Sequence, residues 1–312
     1  MTRLRIVIVN WNAGHLLRDC LTSISSSKYS NFELEQVVVV DNNSTDASLD
    51  GLETIGLPLK VIRNSKNLGF AAACNQGAQG FEGNYILFLN PDTRLYLQSL
   101  SIPIDFMEES IYADVGICGV QLIDESGHVA RSCARFPTAV GFLAHSIGVD
   151  RLFPTIGHFM AEWSHDHTAH VDHVIGAFYL VRRELFECLQ GFDEQYFVYL
   201  EDLDFSYRAW KSGWRTVYFT DAQAFHAGGG TSNQIKARRL FYSLRSRLIY
   251  AFKYFSWIGA ILVLLSTLLV EPMARSVLAV ARRSWTSFKE TWQGYGMLWC
   301  WLPQWWFKGL TR

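Results

Sequence analysis

Four runs of apolar, largely β-branched residues, at 4–9, 36–40, 59–62 and 85–89, alternate with segments of helical period around 14–26, 46–55 and 69–81. A chain that switches between period two and period 3.6 in this order has few ways to bury its apolar faces. The alternation predicts an α/β fold, a mainly parallel sheet covered by helices on both faces, with polar ligand groups at the carboxyl ends of the strands. Three strands release polar residues where that edge falls. The run 37–40 leads into Asp41-Asn42-Asn43-Ser44-Thr45-Asp46, the run 85–89 into Asn90-Pro91-Asp92-Thr93, and the run 217–225 into His226-Ala227-Gly228-Gly229-Gly230. An acid delivered into a turn by a buried strand can hold a hard cation against a phosphate. Three such ends point to one common site.

The first strand runs into Asn10-Trp11-Asn12-Ala13-Gly14-His15. That turn offers no G-x-G-x-x-G, which argues against a dinucleotide-binding dehydrogenase. It also lacks the Gly-rich, Arg/Lys-bearing loop expected of a nucleotidylyltransferase. Six scattered cysteines, Cys20, Cys74, Cys118, Cys133, Cys188 and Cys300, form no C-x-x-C pair and signal neither a zinc site nor a disulfide framework. The run Leu4 to Val9 is too short and too soon interrupted to be a signal-peptide core, so the catalytic part is expected in the cytosol.

From about 132 to 171 the pattern dissolves into Gly, Pro, His and aromatic residues, read as long loops near the active site. His165, His167, His170 and His173 in this stretch have no Cys partners and no i, i+4 pair, and read as loop or strand surface rather than a zinc site. Order returns at 171–182, with a short helix at 183–189. A further helix over 201–212 follows the aromatic run Tyr196-Phe197-Val198-Tyr199 and places Glu201, Asp202 and Asp204 in its first turn. Exposed N–H groups at a helix start favour an ionised carboxylate, so Glu201 or Asp202 is expected to be charged and able to act as a base. The alternative is a plain capping acid.

The segments Val39 to Asp46, Asn67-Leu68-Gly69-Phe70-Ala71-Ala72-Ala73-Cys74-Asn75-Gln76-Gly77, Leu89-Asn90-Pro91-Asp92, Gly176-Ala177-Phe178, Gly191-Phe192-Asp193-Glu194, Glu201-Asp202-Leu203-Asp204 and His226-Ala227-Gly228-Gly229 resemble, in order and spacing over residues 4–232, the motif series of family 2 glycosyltransferases. Within that family the chain is most similar to the bacterial rhamnosyltransferase branch that builds lipid-linked cell-surface polysaccharides. The resemblance implies a GT-A fold and inverting transfer of a sugar from a nucleotide diphosphate sugar. Galactofuranosyl and glucosyl donors read through the same motifs as rhamnosyl ones. It further implies that Asp41 accepts hydrogen bonds from the pyrimidine base, with Asn10 and Asn12 in the same pocket. Asn43, Arg63, Asn67, Gly69, Asn75, Asn90 and Gly176 complete the nucleotide-sugar set. Asp92 and His226 would contact a divalent cation, Mg²⁺ or Mn²⁺, and the diphosphate, and Asp202, beside Glu201, would be the base. Asn90 stands where the family's metal motif carries its first acid, which weakens the metal site without nucleotide. Arg63, Lys66 and the Lys236-Arg238-Arg239 group could offset leaving-group charge.

Residues 1–235 hold 16 Lys+Arg against 27 Asp+Glu, whereas 236–312 hold 12 against 2. The basic residues of the tail are interleaved with long apolar stretches, which argues against nucleic acid and for an anionic membrane surface. Tyr254 to Val270 is free of charge over 17 residues, and seven of the eleven tryptophans lie beyond residue 256. A GT-A domain over 1–240 and a basic, Trp-rich helical membrane-association region over 241–312 follow, the latter a re-entrant or in-plane helix and an amphipathic one. This places the protein at the cytoplasmic face of the inner membrane, facing a polyprenyl diphosphate-linked saccharide acceptor. A helical interface between copies of the chain is the alternative reading of the tail.

Overall fold

The computed structural model describes residues 1–228 and 236–309. In chain order the elements are β1 (Thr2–Asn10), α1 (His15–Ser25), β2 (Phe32–Asp41), β3 (Leu59–Arg63), α2 (Phe70–Ala78), β4 (Tyr85–Leu89), β5 (Thr93–Leu95), α3 (Ser101–Glu108), β6 (Val115–Ile123), β7 (Cys133–Ala134) and α4 (Ala139–Ile147). They continue with β8 (Ala169–Val171), β9 (His173–Val174), β10 (Phe178–Arg182), α5 (Arg183–Cys188), α6 (Glu201–Lys211), β11 (Arg215–His226), α7 (Lys236–Tyr254), α8 (Trp257–Leu265), α9 (Glu271–Ala281) and α10 (Trp285–Lys308). Packing divides them into two compact units. The first comprises Met1–Ala134, Trp163–Asp193 and the stretch from Asp202 through β11. The second comprises Arg135–Glu162, Glu194–Glu201 and the helices from α7 onward.

In the first unit one sheet runs in the order β3-β2-β1-β4-β10-β6-β11-β5, with β8 paired to β11. The β3-β2-β1-β4 half is parallel throughout, as the alternation of strands and helices predicts, and β6 and β11 are also parallel. Strand β10 enters antiparallel to both β4 and β6, so its first residue lies at the edge where β4 ends. One pleat face, Leu4, Ile6, Ile8, Val37, Val39, Leu87 and Phe178 among others, joins Leu17, Cys20, Leu21 and Ile24 of α1 in the main core. These four α1 residues recur at helical spacing on one buried face.

On the other face α2 lies close to β1. A Cβ at Gly77 would stand 2.4 Å from Val7 Cγ1 and 3.1 Å from Val40 Cγ2, so glycine is what lets helix and sheet approach. Phe88, Phe186, Phe192 and Phe205 pack edge-on or tilted, with ring centres 4.8–5.7 Å apart.

Two expectations are corrected. The helix expected over 46–55 is only the short 3-10 turn Leu52–Ile55, because the hydroxyl and carboxylate groups of this stretch satisfy backbone N–H groups themselves. Ser48 N and Oγ both donate to Asp46 Oδ1, and Gly14 N donates to Asp46 Oδ2. Residues 132–171 are likewise not simply loops. They contain α4, which Thr138 caps by accepting a hydrogen bond from Gly141 N, and short strands that pair within the first unit.

In the second unit α10 and α8 pack on α7, and α4 packs on α8. α8 and α9 join through a π-helical turn, Ser266–Val270, into one run, Trp257–Ala281, of 25 residues, long and apolar enough to cross a membrane. Glu271 within it is 1% exposed and pairs with Arg247 of α7 and with Arg275 one turn on. Burial opposes its ionisation, but the two guanidinium groups outweigh that and hold its carboxyl below the usual carboxylate range.

The close approach at Gly77 gives a direct test. Gly77→Val is expected to lower unfolding free energy by about 1–3 kcal/mol through overpacking, measured as a reduced urea midpoint at unchanged m-value; an unchanged midpoint would mean that α2 can back away from β1 without penalty.

Candidate active site

The carboxyl ends of β1, β2, β4 and β11 fall on one edge of the sheet, and β10 begins there. On the β1–β2 side, register pairs Asn10 with Asp41 and Asp41 with Arg63. Asn10 is fully buried, and its amide nitrogen lies 2.8 Å from Asp41 Oδ1, 3.0 Å from Ser44 Oγ and 2.8 Å from Ser48 Oγ. Ser44 N donates to Asp41 Oδ2 at 3.1 Å, and Asn12 receives Thr45 N on its side-chain oxygen at 2.7 Å. Asn10 and Asp41 therefore brace the loop from β2 as well as lining it. Asn43 is left-handed at φ 62°, and Arg63 is exposed at the end of β3.

The neighbouring loop is tied by Asn42, whose amide donates to Gly69 O at 3.0 Å, and by Asn67, which accepts from Gly69 N at 2.9 Å. Asn75 is elsewhere occupied. Its side chain donates to Phe192 O at 2.9 Å and accepts from Phe192 N at 2.8 Å, so it clamps the Gly191-Phe192 turn to α2.

Beyond β4 the chain turns through Asn90-Pro91-Asp92, closed by Thr93 N donating to Asn90 O at 3.1 Å. β5 then pairs antiparallel with β11, Thr93 opposite His226, and sets Asp92 beside that histidine. Asp92 Oδ1 and His226 Nε2 are 3.3 Å apart, both side chains largely but not wholly buried. Two donors about 2.1 Å from one octahedral ion lie roughly 3 Å apart, so the pair fits two neighbouring positions on a single cation. Among the described residues no group of three or more His, Cys, Asp or Glu gathers around such a point. The remaining ligands of a bound Mg²⁺ or Mn²⁺ would be phosphate oxygens and water. Gly229 and Gly230, which follow His226 in the sequence, lie outside the described residues.

The third element is Asp202 on the first turn of α6. Its Oδ1 accepts from Leu203 N and its Oδ2 from Gly176 N, each at 2.8 Å. One bond is local, to the N–H of the next residue within the first turn; the other reaches across to the loop that opens β10. A Cβ at Gly176 would stand 3.1 Å from Asp202 Oδ2, so the close approach suits a residue without one. A carboxylate accepting one hydrogen bond on each oxygen keeps acceptor sites for a third group, and Asp202 retains 18% side-chain exposure.

Ala177, next to Gly176, receives Asn90 N at 3.0 Å and Thr93 Oγ1 at 3.2 Å on its carbonyl. The dipeptide Gly176-Ala177 thus ties the Asp92 turn to the Asp202 carboxylate. Glu201 packs with the second unit and is 5% exposed. Asp204 is fully buried and bonded to Arg208 Nε at 2.7 Å, a structural pair. Tyr199 and Leu200, which lead into α6, are both left-handed, at φ 70° and 64°, a conformation costing on the order of 1–3 kcal/mol each.

Sequence reasoning missed His173. It and His165 are not surface residues; His173 is 3% exposed and His165 fully buried. His165 Nε2 receives Cys133 N at 3.2 Å. His173 Nδ1 is 3.0 Å from Ser206 Oγ, and Ser206 in turn is 2.7 Å from Tyr179 Oη, which donates to Asp202 O at 3.1 Å. The Nε2 of His173 faces Asp202 Oδ2 at 3.6 Å. Burial lowers the pKa of His173, with Asp202 and Asp172 opposing the shift. The available signal was faint: His173 stands directly before the apolar pair Val174-Ile175.

A sheet of this order, with a strand-end acid beside a strand-end histidine and a loop braced by Asn10 and Asp41, defines a GT-A protein. The sequence profile described as Glycosyl transferase family 2 matches residues 5–189, more than half of the chain, and the chain belongs to that family. It is similar to N-acetylglucosaminyl-diphospho-decaprenol L-rhamnosyltransferase of Mycobacterium tuberculosis, 25% identical over 261 residues that cover 79% of this chain and 83% of the relative. Rhamnosyltransferase WbbL of Escherichia coli is 29% identical over 170 residues, 54% of this chain and 62% of that one. Among solved structures, the mannosyltransferase PcManGT from Pyrobaculum calidifontis, in complex with GDP-Man and Mn²⁺, superposes with a TM-score of 0.57 at 18% identity, covering 95% of this chain and 87% of its own. TarS 1–349 of S. aureus in complex with UDP-GlcNAc gives 0.54 at 14%, covering 95% and 92%. These two likenesses show the fold.

The burial of His173 sets a pH dependence. An unfolded histidine takes up its proton near 6.5 and folded His173 only at lower pH, so below about 6.5 the unfolded chain binds more protons and stability falls with acid. His173→Gln is expected to flatten this part of the unfolding free energy profile, measured by urea titration at successive pH values; an equal slope in the variant would assign the acid sensitivity to other groups.

Proposed function

We propose that the protein is an inverting glycosyltransferase that moves a sugar, L-rhamnose from dTDP-rhamnose, to a polyprenyl diphosphate-linked saccharide at the cytoplasmic face of the membrane. The observation that carries the reading is the Gly176-Ala177 link, which places a partly exposed carboxylate, Asp202, in one hydrogen-bonded assembly with the Asp92–His226 pair. The rhamnosyl donor is supported by the names of the two relatives, and the lipid-linked acceptor by that of the Mycobacterium tuberculosis relative alone.

In this reading Asp41 and Asn10 receive the pyrimidine, with Asn12, Asn43 and Asn67 shaping the pocket and Arg63 beside the diphosphate. Asp202 accepts the proton of the acceptor hydroxyl as its oxygen bonds to the anomeric carbon and the bond from that carbon to the diphosphate breaks. One displacement inverts the centre. Tyr179, Ser206 and His173 hold the helix start and the carboxylate in place. A divalent cation held by Asp92, His226 and the diphosphate would supply positive charge to the leaving group. General-base assistance of this kind contributes roughly 10²- to 10⁴-fold.

Asp202→Asn is therefore expected to lower kcat by at least about that factor, since its amide nitrogen also faces one of the two donor N–H groups, Gly176 N or Leu203 N, while the donor dissociation constant, which this carboxylate does not enter, stays unchanged. Turnover at the wild-type rate would remove Asp202 as the base. Asp41→Ala is expected to act the other way, weakening donor binding with a smaller effect on kcat, as read by titration calorimetry. A thermal-shift screen with Mg²⁺ or Mn²⁺ against dTDP-rhamnose, UDP-galactofuranose and UDP-glucose fixes the donor; selective stabilisation by a uridine sugar would replace rhamnose and keep the mechanism.

A further inference from the structure

The run Trp257–Ala281 has its polarity reversed. Ile258, Leu262, Leu265, Leu269, Met273 and Val277 recur every three or four residues along it and are all exposed, Ile258 at 72%, Leu269 at 63% and Val277 at 66%. The residues it buries include Gly259, Ala260, Ser266, Thr267, Glu271 and Ser276. A helix in water turns its apolar stripe inward and its polar side out. Here small and polar residues face the protein and a continuous apolar stripe faces away.

The inward side is firmly engaged. Ser266 Oγ is 2.6 Å from Ser146 Oγ of α4, Gly259 lies against Ala139, and Glu271 is held by Arg247 and Arg275. The chain after α4 in the same unit presents Leu152 and Phe153, also exposed.

What covers this face can be read from its chemistry. A stripe with no polar residue over five turns, on a helix that hides its own serines and glutamate, fits hydrocarbon, which offers polar groups nothing. Trp257 and Trp285 are exposed at either side of the run, where indole rings settle at the headgroup level. Arg282, Arg283 and Lys289 are exposed just beyond it, and the 12 to 2 excess of basic over acidic residues in 236–312 matches anionic headgroups. The ion cluster at Glu271 sits near the middle of the run and fixes its polar side to α7, which suits a helix lying in a leaflet and not one crossing it.

We propose that this face, together with Leu152 and Phe153, docks on an anionic lipid bilayer with the run Trp257–Ala281 in the plane of one leaflet. The proposal deepens the reading that the acceptor is lipid-linked and rests on it. It also extends lipid contact to Leu152 and Phe153, outside the carboxyl-terminal helices.

The test uses the full chain with Cys188→Ser and Cys300→Ser and a single environment-sensitive fluorophore at 262, 269 or 277. With phosphatidylcholine–phosphatidylglycerol vesicles, quenching by brominated lipids is expected to report the same shallow depth at all three positions, with weaker binding to pure phosphatidylcholine. Leu269→Glu with Val277→Glu, and separately Phe153→Glu, are expected to reduce vesicle partitioning by at least about tenfold. A depth profile deep at 269 and shallow at 262 and 277 would overturn the in-plane placement. Absence of vesicle binding, with a concentration-dependent dimer in light scattering, would assign the face to a second copy of the chain. Turnover of a short-chain, water-soluble acceptor analogue separates the two readings: the stripe variants should retain it, and its absence in the unmutated chain would count against glycosyl transfer while leaving the vesicle result intact.

Discussion

The antiparallel strand β10, hydrogen-bonded between β4 and β6, is the constraint on which the rest of the site depends. A parallel strand in that place would deliver its last residue to the ligand edge; β10 delivers its first. The consequence is that Gly176 and Ala177, irregular backbone with free hydrogen-bonding groups, arrive where β4 ends. The carbonyl of Ala177 then closes the Asp92 turn and the N–H of Gly176 fixes Asp202. Without that reversal the two acids would be positioned by unrelated loops.

Around this link the structure keeps polar groups satisfied at some cost in sequence freedom. Asn10 spends its amide on Asp41, Ser44 and Ser48, so one buried side chain fixes a whole loop. The chain Tyr179–Ser206–His173 does the same below Asp202. In both places a carboxylate is oriented by neutral donors instead of a salt bridge, which leaves its charge available to a ligand and not already neutralised by the protein. Asp204 shows the contrast, since Arg208 takes up its carboxylate fully inside the core.

Much of this was legible in the residues. The runs ending in Asp41 and Asp92 lie on one edge because short helical crossovers keep β1, β2, β3 and β4 parallel, and His226 reaches that edge because β11 runs parallel to β6. What escaped notice was what tertiary contact decides. The polar stretch 46–55 has enough helical period to suggest a helix, yet Asp46 and Ser48 prefer their own backbone. His173 looked like surface because much of its burial comes from α6, whose Ser206 is 33 residues further along the chain. Asn75 and Gly176 were expected in the nucleotide-sugar set, and tertiary contact gives one a clamp on Phe192 and the other a bond to Asp202. The 139–147 helix was hidden by Gly141 and His145, the second of which pairs with Asp150 just beyond the helix.

The order of these elements along the chain also governs how the molecule comes into being. Strands β1, β2 and β3 with α1 and α2 are local and can assemble early. The β4–β10 and β6–β11 pairings wait for residues roughly a hundred positions downstream, so the sheet edge is complete only when His226 has been made. The outward apolar stripe, from Ile258 on, follows later still. During synthesis the surface most prone to stick to other nascent chains therefore emerges after the α/β unit has every strand it needs, which shortens the interval in which that surface is bare beside an unfinished core.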